Sequence, residues 1–188
     1  LLKAFGLRNE IAVLGAVAYA FSSYFFIIIE AGHIWKFITL AYIPPTIAGI
    51  VWAYRGRYLL GGAVAALFAT YQIMSNHIQM TYYFLFVVAA IVIAYFIQDL
   101  RAKRLDSFFK ASGILVVSAL IAVAINSSNL YHTYEYSKES IRGKGGLTIA
   151  ADNITPAGES TGLDRDYIVQ WSYGKDETWT LLVPNVKG

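Results

Sequence analysis

The stretch YQIMSNHIQMTYYFLF, residues 71–86, is apolar and aromatic almost throughout, yet Ser75, Asn76, His77 and Gln79 stand at its middle. Read without a break, the apolar run from 58 to 98 would form one helix far too long for a hydrocarbon core of about 30 Å. A reversal is therefore required near 75–79. The four polar side chains mark a hairpin turn at a membrane surface.

The composition supports a membrane setting. Of the 188 residues, 57% are hydrophobic and 14% charged, against roughly 25% charged in a soluble domain. Mean hydropathy is +0.51. The apolar residues come in long blocks separated by short polar stretches, the pattern of spanning helices. Five segments approach the roughly 20 residues a span needs: 11–29, 37–54, 58–74, 80–98 and 108–125. The expected fold is thus an all-α membrane bundle over 1–126, followed by a mixed tail over 127–188. The chain begins at Leu1 without a basic-then-apolar leader and ends in LLVPNVKG, so it reads as an internal piece of a longer chain. The absence of cysteine excludes disulfides, thiolate metal sites and cysteine nucleophiles.

Basic residues set the orientation. One set of loops carries Lys3, Arg8, Arg55, Arg57, Arg101, Lys103 and Arg104, whereas the opposite turns carry only Lys36. This assigns the first set to the cytoplasm and places the tail from Asn126 outside. The net charge of +3 then belongs to membrane topology and does not point to nucleic acid. His33, His77 and His132 all fall on the outer side, with Glu30, Lys36, Asn76, Gln79, Tyr131, Tyr134 and Glu135 around them. GHIWKF and NHIQMT, in the two outer turns, are faintly alike.

Spanning helices associate through small residues that let backbones approach. Ala12, Ala16 and Ala20 form such a stripe, as do Gly62 with Ala66 and Ser118 with Ala122. Trp35 and Tyr82 on one side, with Trp52, Tyr54 and Tyr58 on the other, suit aromatic belts. Lys110 is close enough to the basic surface to extend out of the lipid. Pro44 and Pro45 remove two backbone donors and predict a kink that frees carbonyls around Leu40 and Ala41. The kink is either static or shapes an outward cavity below His33 and Lys36.

In the tail, the first half of NSSNLYHTYEYSKESIRGKGG can extend the fifth helix, with Glu135 and Lys138 spaced to pair, before GKGG ends it. DYIVQWSYGKDETWTLLVP alternates aromatic and polar residues, as a strand or a segment on the membrane would. At about 60 residues the tail is marginal as an independent domain. NIT at 153 and NSS at 126 match the short glycosylation sequon.

No Gly-Lys-Ser/Thr phosphate loop, HExxH, EF-hand or GxSxG elbow is present. No ionisable residue stands deep in a span, which argues against an ion-driven transporter. The polar cluster at the outer surface has three readings: ordinary surface anchoring, a lipid-phosphate or sugar site, and a three-histidine metal site. For the second, Lys36 offers a point charge to phosphate. Histidine donates to phosphate oxygens or moves a proton, and Asn76 and Gln79 suit hydroxyls. Glu30 and Glu135 are candidate bases or metal ligands. No cofactor is identified, and a divalent metal is left open.

FSSYFFIIIEAGHIWKFITLAYIPP (21–45), IMSNHIQMTYYFLF (73–86) and GLDRDYIVQWSYGKDETWTLLVPNVKG (162–188) together resemble the YfhO-type bacterial membrane proteins, particularly their long Bacteroidetes members. The resemblance implies a many-span GT-C-like glycosyltransferase of the bacterial inner membrane. Such a protein transfers sugar from a polyprenyl-phosphate carrier to an extracytoplasmic acceptor, with membrane lipid and the rest of the same chain as partners. It carries over His33, His77, Gln79 and Trp171 as family-pattern positions, and no catalytic base. Trp171 or Trp179 would stack on a sugar face. The alternative is a non-enzymatic membrane protein, a flippase or a cell-envelope scaffold.

Overall fold

A computed structural model of the chain describes residues 1–138 together with Val169, Gly174 and Trp179. The described residues form helices and no strand. In chain order these are α1 (Asn9–Ala20), α2 (Ser23–Glu30), α3 (Ile34–Ala41), α4 (Ile43–Tyr54), α5 (Tyr58–Met74), α6 (Ile78–Arg101), α7 (Leu105–Ile125) and α8 (Ser127–Lys138). Residues 1–130 make one compact unit and 131–188 a second. Apart from Val169, Gly174 and Trp179, the stretch 166–184, expected as a strand or a segment on the membrane, lies outside the described residues.

Four reversals between helices are built alike. Each has one residue in the left-handed region, at Gly32, Gly56, Asn76 and Lys103, with φ of 80°, 87°, 55° and 55°. Each is followed by the residue that caps the next helix: His33, Arg57, His77 and Arg104. Left-handed backbone closes a helix C-terminus, and glycine and asparagine adopt it most readily. The likeness of GHIWKF to NHIQMT thus has a local cause, since both encode a left-handed residue, a histidine at the cap and an isoleucine opening the helix. Histidine and arginine alternate along the chain, so antiparallel helices collect histidines at one end of the bundle and arginines at the other.

Two of the expected spans are interrupted. The segment read as 11–29 is two helices, separated where Ser22 becomes extended at φ −60° and ψ 133°. The segment read as 37–54 starts earlier, at Ile34, and kinks at Tyr42, with the prolines in the first turn of α4. There a proline's missing N–H costs little. The freed carbonyl of Leu40 accepts a hydrogen bond from Tyr19 Oη at 2.8 Å, which also anchors α1 to the kink. α6 extends beyond the segment read as 80–98, and α7 begins at Leu105 instead of 108. Among the described residues, four helical stretches are long and apolar enough to cross a membrane: Asn9–Glu30, Ile34–Tyr54, Ile78–Arg101 and Leu105–Ile125. α5 is apolar but shorter, at 17 residues, the low end of the roughly 17–25 that suffice.

The packing centre is α4 against α5. A Cβ on Gly49 would lie 2.5 Å from Ala65 N and 2.8 Å from Gly61 O, and one on Gly61 would collide with the backbone of Ala53. Gly62 faces the other way, toward α7, where Ser118 Oγ donates to Gly62 O at 2.9 Å. Small residues therefore do set the helix approach, through Gly49, Gly61, Gly62, Ala65, Ser118 and Ala122. The Ala12–Ala16–Ala20 stripe behaves differently. α1 buries none of its residues, and that stripe lines a groove of about 750 Å³ with Phe25, Phe37 and Ile47. α6 leans on the bundle through a stack of Tyr95 on Tyr54, with ring centroids 4.7 Å apart.

Alongside its hydrophobic core, the bundle buries polar side chains and exposes large apolar ones. Thr39, Thr46, Thr70, Gln72, Ser75, Asp99, Ser118 and Asn126 are buried, whereas Leu14, Phe86, Val116, Leu120 and many other large apolar side chains are exposed. Most of the buried groups bond a carbonyl one turn back or a neighbouring helix. Thr46 and Thr70 donate to Tyr42 O and Ala66 O, both at 2.7 Å, and Asn126 Nδ2 donates to Thr70 O at 3.1 Å. A soluble monomer rarely exposes apolar patches beyond a few hundred Å², but a lipid-facing bundle must do so, with its polar groups satisfied within. The chain is a membrane protein with transmembrane helices.

Candidate functional site

The turns at 31–33 and 75–77 carry the residues singled out from sequence, and α3 fastens one to the other. Thr39, fully buried on α3, donates from Oγ1 to Ser75 Oγ at 3.0 Å. Ser75 donates in turn to Gln72 O at 2.8 Å, with Tyr71 O at 3.1 Å. The four polar residues of the opening stretch thus divide. Ser75 points inward as a staple, Asn76 and Gln79 are exposed, and His77 is half-buried.

His77 and His33 occupy equivalent cap positions but do different work. His77 Nδ1 accepts from Met80 N at 3.4 Å, a second contact of an N–H that also donates to His77 O at 3.0 Å. His33 is exposed and makes no side-chain cap. Lys36 is half-buried, with Nζ 5.6 Å from the centre of the Tyr24 ring. That contact places its charge over an aromatic face beside the exposed His33 turn. Gln79 Nε2 donates to Tyr83 Oη at 3.3 Å, and Glu30 ends α2 exposed.

The structure therefore brings Lys36 and Thr39 onto one helix and joins that helix to the residue preceding Asn76 and His77. Among the described residues no three His, Asp or Glu side chains gather where a metal could bind. His132 and Glu135 belong to α8, within the second unit. His132 is exposed, and the expected pairing of Glu135 with Lys138 is present at 2.6 Å. Trp171 lies outside the described residues.

Three features escaped the sequence reading. Gln72, 2% exposed, and Thr81 line a cavity between α4, α5, α6 and α7, and among the described residues neither Gln72 Nε2 nor Thr81 Oγ1 has a hydrogen-bond partner. Asp99, 4% exposed, is buried in the last turn of α6, where Arg104 Nη2 approaches its Oδ1 at 3.2 Å. The signal for Asp99 was its place just ahead of the basic run Arg101–Arg104, read only as a topology marker. Lys110 meets its expectation differently, its Nζ standing 4.8 Å from the Tyr58 ring centre.

No family model matches the chain, and neither a curated protein nor a solved structure matches it.

Proposed function

We propose that this chain is part of a GT-C-like glycosyltransferase of the bacterial inner membrane, and that its histidine-bearing end receives the phosphate head of a polyprenyl-linked sugar. The observation that carries the reading is the linkage of the Lys36 helix to the His77 turn through Thr39 and Ser75. It joins the helix that carries Lys36 to the turn that carries His77, which supports their acting together at one rim of the bundle. The compact lysine ammonium attracts phosphate as a point charge, and a ring N–H of His77 donates to its oxygens. Asn76 and Gln79 meet sugar hydroxyls, and the polyprenyl tail lies against exposed apolar faces. The alternation of histidine and arginine turns supports an orientation with the histidines outside, as the positive-inside rule requires. Acceptor binding would involve the tail, with Trp171 or Trp179 stacking on a sugar face.

The test is sugar transfer from a polyprenyl-phosphate donor in membranes containing the full-length protein. His33→Ala, Lys36→Ala and His77→Ala are each expected to lower turnover by about tenfold or more, the loss of one charged or charge-assisted hydrogen bond. Unchanged turnover in all three overturns the reading.

A second reading, a non-enzymatic flippase or envelope scaffold, is favoured by Asp99. Its carboxylate is buried at the arginine-bearing end and already paired with Arg104, where it is remote from a base's task at the opposite rim. Under that reading, transfer is absent in every variant while lipid association persists.

A further inference from the structure

The cavity between α4, α5, α6 and α7 is unlike the rest of the interior. It has a volume of about 480 Å³, within the roughly 300–1,000 Å³ typical of small-molecule sites. Its room comes from small residues on α5 and α7, including Ala65, Ala69, Ala119 and Ala122, facing Val88 and Val92 on α6. No charged residue lines it. At one end stand Gln72 and Thr81, one turn inside the 75–77 reversal, and at the other stand Tyr54 and Ser112, hydrogen-bonded to each other at 3.0 Å. Along α4 the lining from Thr46 to Tyr54 covers about 12 Å of helix axis at about 1.5 Å per residue.

The two donors at the upper end set the chemistry. A buried amide N–H or hydroxyl without a partner is costly, and native interiors rarely leave one. Other buried polar side chains of this bundle are satisfied by back-bonding to their own helix, as Thr46, Thr70 and Ser118 are. Thr81 does not back-bond, and Gln72 is too buried to reach water. A ligand for this end must therefore supply an oxygen acceptor. The acceptor must also be neutral, because no cation lines the cavity to offset a buried charge.

We propose that this cavity binds one acyl chain of an ester-linked glycerolipid, with Gln72 Nε2 and Thr81 Oγ1 donating to the ester carbonyl oxygen and the chain running along the alanine walls toward Tyr54. The head of such a lipid emerges at the 75–77 turn, at the same level as other heads in the leaflet. This site is independent of the transferase reading, since the ligand is a bulk membrane ester and no sugar is involved.

The experiment uses the full-length protein in nanodiscs containing a trace of phosphatidylglycerol with a photoreactive diazirine in one acyl chain. Parallel samples carry the ether-linked analogue, which lacks the carbonyl. Labelled residues are mapped by mass spectrometry. With the ester probe, labels are expected on α5, α6 and α7 residues that line the cavity. They should fall about tenfold in Gln72→Leu, the factor matching one lost hydrogen bond, and at least as far with the ether probe, which loses both. Ala119→Phe, which fills the cavity, is expected to abolish them with either probe while helix content by circular dichroism is retained. Cavity labelling that is equal for ester and ether probes, and unchanged in Gln72→Leu, overturns the proposal, as does an absence of cavity labelling in the native protein. Gln72→Leu also guards against misfolding, since it replaces an unpartnered amide by an apolar group of similar size and should leave the bundle at least as stable without the ligand.

Discussion

Gly49 and Gly61 face each other across α4 and α5 so closely that a methyl group on Gly49 would lie 2.8 Å from the Gly61 carbonyl oxygen. Backbone forms the opposing surface here, and backbone cannot rotate aside. Gly61→Ala or Gly49→Ala must therefore push the helices apart, at a cost of about 1–3 kcal/mol. Gly113, on α7, has nothing near the position of an added Cβ, and Gly113→Ala is expected to be neutral or stabilising, because alanine is the better helix former. Thermal unfolding in detergent compares the three. A Gly61→Ala protein as stable as Gly113→Ala would contradict the packing.

The Leu40 carbonyl, deprived of its helical donor by Pro44, is held by Tyr19 Oη. Tyr19→Phe is expected to cost about 0.5–1.5 kcal/mol, the usual net value of one hydrogen bond. In a Pro44→Ala background the helix regains a backbone donor for that carbonyl, so the same change should cost less. A double-mutant cycle on unfolding free energy measures the difference. Equal losses in both backgrounds would show that the tyrosine does not serve the proline kink.

The staple between Thr39 and Ser75 is open to a covalent check, because the chain contains no cysteine. Two side-chain oxygens 3.0 Å apart place the two side chains in direct contact, within the reach a disulfide between these positions needs. Thr39→Cys with Ser75→Cys should oxidise to a cross-link, which retains both fragments after proteolytic cleavage in the 55–57 turn. Thr39→Cys with Gln79→Cys is expected to cross-link poorly. Failure of the first pair to join would remove the connection between the Lys36 helix and the His77 turn.

Two ion pairs differ in what their loss should do. Arg8 and Glu10, 3.4 Å apart, leave 81% and 72% of their side chains exposed, and such pairs are worth little. Arg104 meets an Asp99 side chain that is only 6% exposed. Arg104→Ala leaves a buried carboxylate without its cation and is expected to destabilise clearly more than Arg8→Ala. Chemical unfolding of both variants decides the point, and equal stability would mean that water solvates Asp99.

Much of the fold was legible because lipid imposes a simple rule, that long apolar runs are helices and polar interruptions are turns. The reversal at 75–79 followed from length alone, and the kink from Pro44 and Pro45. The break at Ser22 was hidden, since serine among aromatics is common in spanning helices and only the extended backbone reveals it. Helix faces were harder to read. Ala12, Ala16 and Ala20 carry the same small-residue spacing as a packing stripe, but the nearest partner surface leaves a groove instead of a contact. At the candidate site, the chemistry of His77 and Lys36 was visible in sequence, whereas Thr39 gave no sign, because its role depends on a residue 36 positions away. Gln72 was passed over for a similar reason. A polar residue one turn from a turn looks like part of the surface until burial shows that it is not.

The central claim is that the histidine turns and the arginine turns stand on opposite sides of the membrane, with the histidines outside. Single cysteines at Gln79 and Arg101, both exposed, can be probed in intact cells with a membrane-impermeant maleimide. The predicted result is labelling of Gln79→Cys in intact cells and of Arg101→Cys only after lysis. Labelling of Arg101→Cys in intact cells, with Gln79→Cys protected until lysis, would contradict it.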